Sequence, residues 1–527
     1  MGTIMIIALI ANICSSQGPM KAKYQGDSVE DEYSHDRRAA FAMKYYISSE
    51  NGSANGDGSA GNPWNSLDSL NAYKFSPGDT VFFERGSSWS GSFEITASGT
   101  EEDPIVFTAY GSGDLPSLSN PDSGTNDGNA IRISASYITI EKLYVHDCGL
   151  SGPRTVAGIA NFNREDHHIV VQHCEFKGCR VAVRLYAHDV RISNNYMHSP
   201  GGGINEWWGP MAIVGAGYNG EISFNHIEGF LAPNNYGYDG GAIELDDEGI
   251  HTNWKIHHNI SLGNEGFLES YDDSECEDCT WGEIEICYNY SDDYQWFIDG
   301  PIGRDAIIEN NTVLRVLPAN TDFNWCISLH HRIPEASVRN NIFVLANGVT
   351  AFEWENPGSS TSDNIYFSVD NSLSNPKGYI LKDGEIIADP LFVNYEERDL
   401  HLQEGSPAVD MAEASRYEFD LEGNPVPQGN APDAGAFESS FVAGSKFAYE
   451  NGKVSIFPNP SNGILQIENM MPNQQNRNLT IHDQAGKMVV EQNIRERIST
   501  IDITKLPKGV YYVNPGLSEL SIPHILQ

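Results

Sequence analysis

One asparagine returns through the middle of the chain at the same place in a short motif: "ISNNYMH", "ISFNHIE", "IHHNISL", "CYNYSDD", "IENNTVL", "VRNNIFV" and "SDNIYF". These are Asn195, Asn225, Asn259, Asn289, Asn311, Asn341 and Asn364, spaced by 22 to 34 residues. Periods of this length belong to stacked repeats. An amide repeated at one bend of every repeat can bond to the repeats above and below, satisfying backbone groups where the chain turns. The repeat runs from about Ile131 to Asn364, each unit holding a strand with apolar alternation, a turn and the Asn-centred strand. No stretch sustains helical periodicity. The pattern predicts an all-β chain: a right-handed parallel β-helix, or solenoid.

Composition narrows what such a solenoid can bind. With 72 Asp and Glu against 32 Lys and Arg, the formal charge is −40, which argues against nucleic acid or an anionic membrane as partner. A polyanionic substrate would need a local basic patch. The N-terminal run "IMIIALIANIC" followed by "SSQG" reads as a secretory signal ending near Ser16, and no membrane span is expected in the mature protein. Cys148 and Cys179 end similar segments and could pair across neighbouring turns. "CEDC" (Cys276 to Cys279) reads as a tight disulfide rather than half a zinc site, because no second CxxC completes one.

Segments at both ends carry resemblances. The stretch from "YYISSENGSANGDG" through "GNPWNSLDSL" to "SPGDTVFF" looks like the opening of the pectin-lyase-like β-helix superfamily of secreted carbohydrate-active proteins. "DPLFVN", "DLHLQEGSPAVD" and "APDAGAFE" are similar to that family's closing segment. The resemblance covers roughly Tyr45 to Glu438 and implies the fold more than any reaction. Beyond it, "VSIFPNPSNGILQIEN", "LTIHDQAGKMV" and "KLPKGVYYV" resemble the C-terminal sorting domain of the type IX secretion system, although "NPGLSELSIPHILQ" departs from the usual final strand. The expected organisation is a signal peptide at 1–16, a β-helix catalytic domain at 43–440 and a sorting domain at 447–527. That implies the type IX machinery as partner and a secreted or outer-membrane-surface location.

"YDGGAIELDDEG" (Tyr238 to Gly249) points to chemistry. Ile243 and Leu245 alternate with Glu244 and Asp246, so a strand with one buried face presents acids outward. Aligning the units by their inward residues gives the outward series Arg132, Arg184, Glu244, Glu269, Asp299 and Ser328. Asp246, Tyr271 and His330 follow two residues later on the same side. This alignment predicts Glu244, Glu269 and Asp299 on three consecutive rungs, bordered by Arg184 below and His330 above. Like charges at strand spacing raise one another's pKa, which a surface without function avoids. Loops carrying Trp207, Trp208, Tyr236, Tyr238 and Trp281 lie nearby in sequence, and exposed rings suit sugar faces.

Hydrolysis of a plant or algal polysaccharide is the leading reading. Glu244, Glu269 and Asp299 share acid and base roles, with Asp246 in reserve and no cofactor required. Arg184, His330, Trp207, Trp208, Tyr238 and Tyr271 bind substrate. The polygalacturonase-like hydrolases of the superfamily use outward acids on neighbouring coils, but their motifs are not present here. The second reading is a polysaccharide lyase: Arg184 is the base, and Asp246, Asp247, Asp272 and Asp273 offer hard oxygen ligands to Ca²⁺. A glycan-binding surface protein without chemistry is the third. Glu353 and Glu355 continue the outward series, and His167 and His168 lack metal-ligand spacing.

Overall fold

The computed structural model describes residues 42–526 apart from 122–127, 150–155, 201–208, 232–239, 246–249, 271–279, 303, 318–323, 329–335, 354–358, 383, 442–446, 450–453, 458–463, 470–476, 484–486, 495–497, 508 and 515–521. Each coil crosses three parallel sheets in turn. Sheet 1 has 12 strands, from Lys44–Ile47 to Ser360–Ser362. Sheet 2 has 12, from Ser88–Ser90 to Ile386–Ile387, and sheet 3 has 10, from Phe93–Ile95 to Thr350–Phe352. Strands of one sheet pair with the coil before and the coil after, as in a parallel β-helix.

The interior follows from side-chain alternation. On sheet 1, Ile192, Ile222, Ile256, Ile286 and Ile308 occupy matched inward positions on successive coils, and all are fully buried. β-branched side chains suit such a doubly bonded, fully enclosed strand.

The corner from sheet 1 to sheet 2 explains the asparagines. On coil after coil one residue there is left-handed, including Asn194, Phe224, His258, Tyr288, Asn310 and Asn340 with φ between 52° and 59°. None of these six is glycine, so the bend is conformationally costly. The next residue is the ladder asparagine. Asn225 N–H donates to Asn259 Oδ1 at 3.0 Å, Asn259 N–H to Asn289 Oδ1 at 3.0 Å and Asn289 N–H to Asn311 Oδ1 at 2.9 Å. Each Nδ2 also donates to a carbonyl of the preceding coil: Asn225 to Ile192, Asn259 to Ile222, Asn289 to Ile256. The ladder read from sequence is therefore a continuous chain of amides that satisfies the bend on each coil from Asn195 to Asn364.

Residues 388–440 fold back over the outer face of sheet 2. Phe392, Leu400, Leu402, Val409 and Leu421 pack on the outward Leu314, Ile342, Val344 and Ile365. Arg398 Nε holds Asp292 at 2.5 Å, and Ala436 N–H donates to Thr312 Oγ1 at 2.9 Å. This segment contains a carboxylate cluster that explains the "SPAVD" and "APDAGAFE" pieces. Glu438 accepts N–H groups of Gln428 and Asp433, and Asp433 accepts those of Asp410 and Ser439.

Burial, with the nearby Asp433 carboxylate, lifts Glu438 to about 7, and burial lifts Asp433 to about 6. Asp410 and Asp420 also face this pair and add negative charge. Folding thus favours the protonated Glu438, so its contribution is complete below the ordinary value of 4.5 and is lost as pH rises through about 7. Thermal melts across that window should show a downward slope with pH in the wild type that Glu438→Gln flattens. An unchanged slope would contradict this assignment.

From Phe447 the pairing becomes antiparallel. Two four-stranded sheets enclose Leu465, Ile467, Leu479, Ile481, Ile501, Tyr511 and Val513. Ile522–Leu526, from the atypical terminal stretch, pairs with Gly509–Asn514. No helix among the described residues is long and apolar enough to cross a membrane. The proposed signal at 1–16 lies outside the described residues.

Two expectations about side chains are corrected. Cys148 and Cys179 are free thiols on neighbouring coils. Cys148 Sγ turns to the His146 carbonyl at 3.3 Å and Cys179 Sγ to the Val145 carbonyl at 3.6 Å. A hydrogen bond with Cys148 and full burial hold the Cys179 thiol well above its ordinary range. Trp281 does not wall a groove: Thr280–Gly282 pairs with Ile250–Thr252, and Trp281 is buried against His251 with ring centroids 4.2 Å apart.

Candidate functional site

The outward column of sheet 3 can be followed rung by rung. Glu94 pairs with Arg132, Arg132 with Ala160, Ala160 with Arg184, and Arg184 with Val214. Val214 then pairs with Glu244, Glu244 with Glu269, Glu269 with Asp299 and Asp299 with Ser328. Glu244, Glu269 and Asp299 thus stand on three consecutive rungs. Arg184 does not border them directly, as the sequence alignment had it: the strand Met211–Gly215 intervenes and presents Val214. At ordinary strand spacing of about 4.8 Å, Arg184 is then roughly 10 Å below Glu244.

Sheet 1 provides an internal comparison. Its outward column runs Arg191, Glu221, Lys255, Glu285, one residue per rung and alternating in sign. His257 also reaches Glu221, and that hydrogen bond pulls the Glu221 carboxyl down to about 2. The outer face of sheet 1 is therefore arranged to cancel charge, and Arg416 of the closing segment adds a further cation beside Glu285. Three carboxylates of one sign on successive rungs of sheet 3 depart from that rule within the same molecule.

Burial grades along the column. Glu244 and Arg184 are each 5% exposed, Glu269 and Asp299 are half-buried, and Glu353 is exposed. Above Asp299, the Ser328 hydroxyl donates to Glu353 Oε2 at 2.5 Å, so Glu353 extends the acidic series as expected. Directly below Glu244 the column presents Val214, which belongs to an apolar cluster with Ala157, Ala160, Val181 and Met211, and the next rung carries Arg184.

Glycines set the strand entrances and exits. Gly240 and Gly241 lead into the Glu244 strand at φ 121° and 147°, values closed to other residues. Gly300 follows Asp299 at φ 108°, and a Cβ there would lie 1.9 Å from the Ser270 carbonyl oxygen. Ser270 Oγ in turn donates to the Pro301 carbonyl at 2.6 Å, tying the Glu269 rung to the Asp299 rung. Gly300→Ala must move one rung against the other. Misplacement on the ångström scale can cost about a hundredfold in rate, so a turnover loss of that order is expected, read against thermal stability. Wild-type turnover in this variant would show that the rung spacing does not matter.

Of the other sequence-derived residues, Asp246, Tyr271, His330, Trp207, Trp208, Tyr236, Tyr238 and Glu355 lie outside the described residues, as do Asp247, Asp272 and Asp273. Among the described residues no group of three or more His, Cys, Asp or Glu side chains is placed to hold a metal ion. His167 and His168 instead join a ring stack with Tyr137 and His188. Sequence reasoning missed Phe162 and Tyr186. They stand two residues past the outward Ala160 and Arg184, the same step that singled out Asp246, Tyr271 and His330. Arg184 Nη1 donates to the Tyr186 hydroxyl at 3.0 Å.

Comparison with known proteins adds the C-terminal assignment. Residues 455–519 match the family model described as secretion system C-terminal sorting domain. The chain is thus a parallel β-helix carrying a type IX sorting domain, which directs it to the cell surface or the extracellular space. No curated protein matches it significantly. Similar solved structures include a GH136 lacto-N-biosidase from Eubacterium ramulus, at 16% identity and TM-score 0.38 over 62% of this chain and 68% of that one. An alginate lyase from Paenibacillus sp. str. FPU-7 shares 16% identity at TM-score 0.37, over 62% and 93%. A rhamnogalacturonan lyase shares 13% at TM-score 0.43, over 73% and 95%.

Proposed function

We propose that this chain is a secreted enzyme that cleaves a polysaccharide lying along the outer face of sheet 3. One observation carries the reading: the same-sign stack Glu244, Glu269, Asp299, set against the alternating column on sheet 1. Carboxyls held on neighbouring rungs of one face can divide the acid and base roles that glycosidic cleavage needs. The closing segment occupies part of the outer face of sheet 2, which makes sheet 3 the better surface for a long ligand.

Two bond-breaking chemistries fit the column. In hydrolysis, one carboxyl protonates the leaving oxygen while another serves as nucleophile or activates water. Adjacent rungs, about 5 Å apart, suit retention, and a two-rung separation of roughly 10 Å suits inversion. In β-elimination on a uronate, the carboxylates offer hard oxygens to a cation such as Ca²⁺, which would neutralise the sugar acid. The sugar proton would pass to a carboxylate of the column that does not hold the cation, since Arg184, the base expected from the sequence, stands two rungs from Glu244. Lyases outnumber hydrolases among the three structures named above. They sit better with elimination than with hydrolysis, although likeness at that level speaks for the fold alone.

The products separate these readings. Purified protein incubated with plant and algal polysaccharides should release new reducing ends. An ultraviolet-absorbing unsaturated product, lost with a chelator, marks the lyase, and reducing ends without it mark the hydrolase. Binding with no new ends on any polymer would leave a glycan-binding surface protein and overturn the proposal.

A further inference from the structure

We infer that the N-terminal half of the same face is an anion subsite, built to hold a carboxylated or sulfated sugar of the substrate away from the reacting bond. The inference rests on the cleavage reading for its substrate but on different residues for its chemistry. Arg132 and Arg184 lie on the outward column two rungs apart, with Ala160 between them. Phe162 and Tyr186 lie on the same side, their centroids 5.7 Å apart at 83°. The Arg132 guanidinium carbon sits 5.8 Å from the Phe162 centroid, and those of Arg164 and Arg184 sit 5.5 and 5.9 Å from the Tyr186 centroid. Three arginines and two rings therefore form one connected platform.

This concentration runs against the composition. In a chain where acids outnumber Lys and Arg by 72 to 32, chance placement would pair each arginine with a carboxylate. Glu94 does approach Arg132 at 3.6 Å. Arg164 is different: it is exposed, donates to the Ala216 carbonyl at 3.2 Å and stacks over Tyr186, and no carboxylate pairs with it among the described residues. A neutral carbonyl and a ring orient the guanidinium without cancelling its charge. Planar guanidinium forks bind carboxylate and sulfate oxygens in pairs, and the ring edges and faces give a sugar something to pack on.

Above Glu94 the face then changes sign along its length, with Arg132 and Arg184 below Val214 and the three stacked carboxylates above it. A glycan lying along it is fixed in direction: an anionic substituent can sit at the arginine end and is repelled from the carboxylates. That polarity sets which bond reaches Glu244, Glu269 and Asp299.

Binding by the full-length protein tests this separately from cleavage. The probes are an oligogalacturonate for carboxylate, a carrageenan oligosaccharide for sulfate and a cello-oligosaccharide as the neutral control. One anionic probe should bind about tenfold or more tightly than the neutral one, weaken with added salt, and tell which acid the subsite takes. Arg164→Gln, at an exposed position, should lose most of that preference with an unchanged melting temperature, and Arg132→Gln should lose part of it. Equal binding of all three probes, or wild-type preference in both variants, overturns the subsite. If the anionic preference and its loss in Arg164→Gln are seen but no polymer is cleaved, the subsite stands and the cleavage reading falls. Cleavage of a neutral polymer unaffected by Arg164→Gln has the opposite meaning.

Discussion

Glu269→Gln should reduce turnover by roughly 10²- to 10⁴-fold while leaving the fold intact and raising its melting temperature. Both halves follow from position. Glu269 pairs with Glu244 on one side and Asp299 on the other, so it is the member of the column with an acid on both neighbouring rungs. Removing its charge relieves two like-charge contacts at about 4.8 Å, worth a few tenths to about 1 kcal/mol each on a sheet face. If these carboxylates were only a solvated face, activity would be indifferent and only stability would respond. If they were a structural cation site, the substitution would lower stability instead. The catalytic reading alone predicts loss of rate together with gain of stability. Glu244→Gln and Asp299→Asn should lose rate as well, with smaller gains because each has one acidic neighbour on the column.

Asn289→Ala should be the most damaging substitution for the fold. The Asn289 side chain accepts from the Asn259 backbone N–H at 3.0 Å and from Asn259 Nδ2 at 3.1 Å, and donates to the Ile256 carbonyl at 2.9 Å and to Asn311 Oδ1 at 3.0 Å. All of these groups are buried. Truncation leaves donors and an acceptor without partners where water cannot reach, at about 1–3 kcal/mol per group. It also weakens the corner where Tyr288 holds a left-handed φ of 53°. A loss of about 3–5 kcal/mol is expected, at the upper end for single substitutions, measured by denaturant or thermal unfolding. Asn289→Asp should restore only part of it, because a carboxylate accepts as the amide does but cannot donate to Ile256. A cost near that of a surface substitution would mean the ladder contributes little.

Much of the architecture was legible because the features that fix it are local and repeated. The ladder asparagines fall at one corner, and inward isoleucines alternate with polar neighbours, so each coil carries its own signature in the sequence. The column was legible for the same reason from Glu244 to Ser328. Legibility failed where the outward residue was apolar. Ala160 and Val214 carry no charge, so two rungs passed unnoticed and Arg184 was placed too near Glu244. Phe162 and Tyr186 were lost with them. Trp281 misled because a ring in a cysteine-rich loop reads as exposed, whereas a short extra strand pairing turns it onto His251. For Cys148 and Cys179 the sequence located neighbouring turns, and the two thiols meet there through a hydrogen bond, each also near a backbone carbonyl, without forming a disulfide.

The most direct test is a crystal structure of the Glu269→Gln protein with an oligosaccharide from whichever polymer the wild type cleaves. The account predicts a sugar chain along the outward column of sheet 3, its scissile bond within reach of positions 244, 269 and 299 and an acidic substituent near Arg164 and Arg184. Density for the sugar on the outer face of sheet 1 or sheet 2, with the column unoccupied, would contradict it.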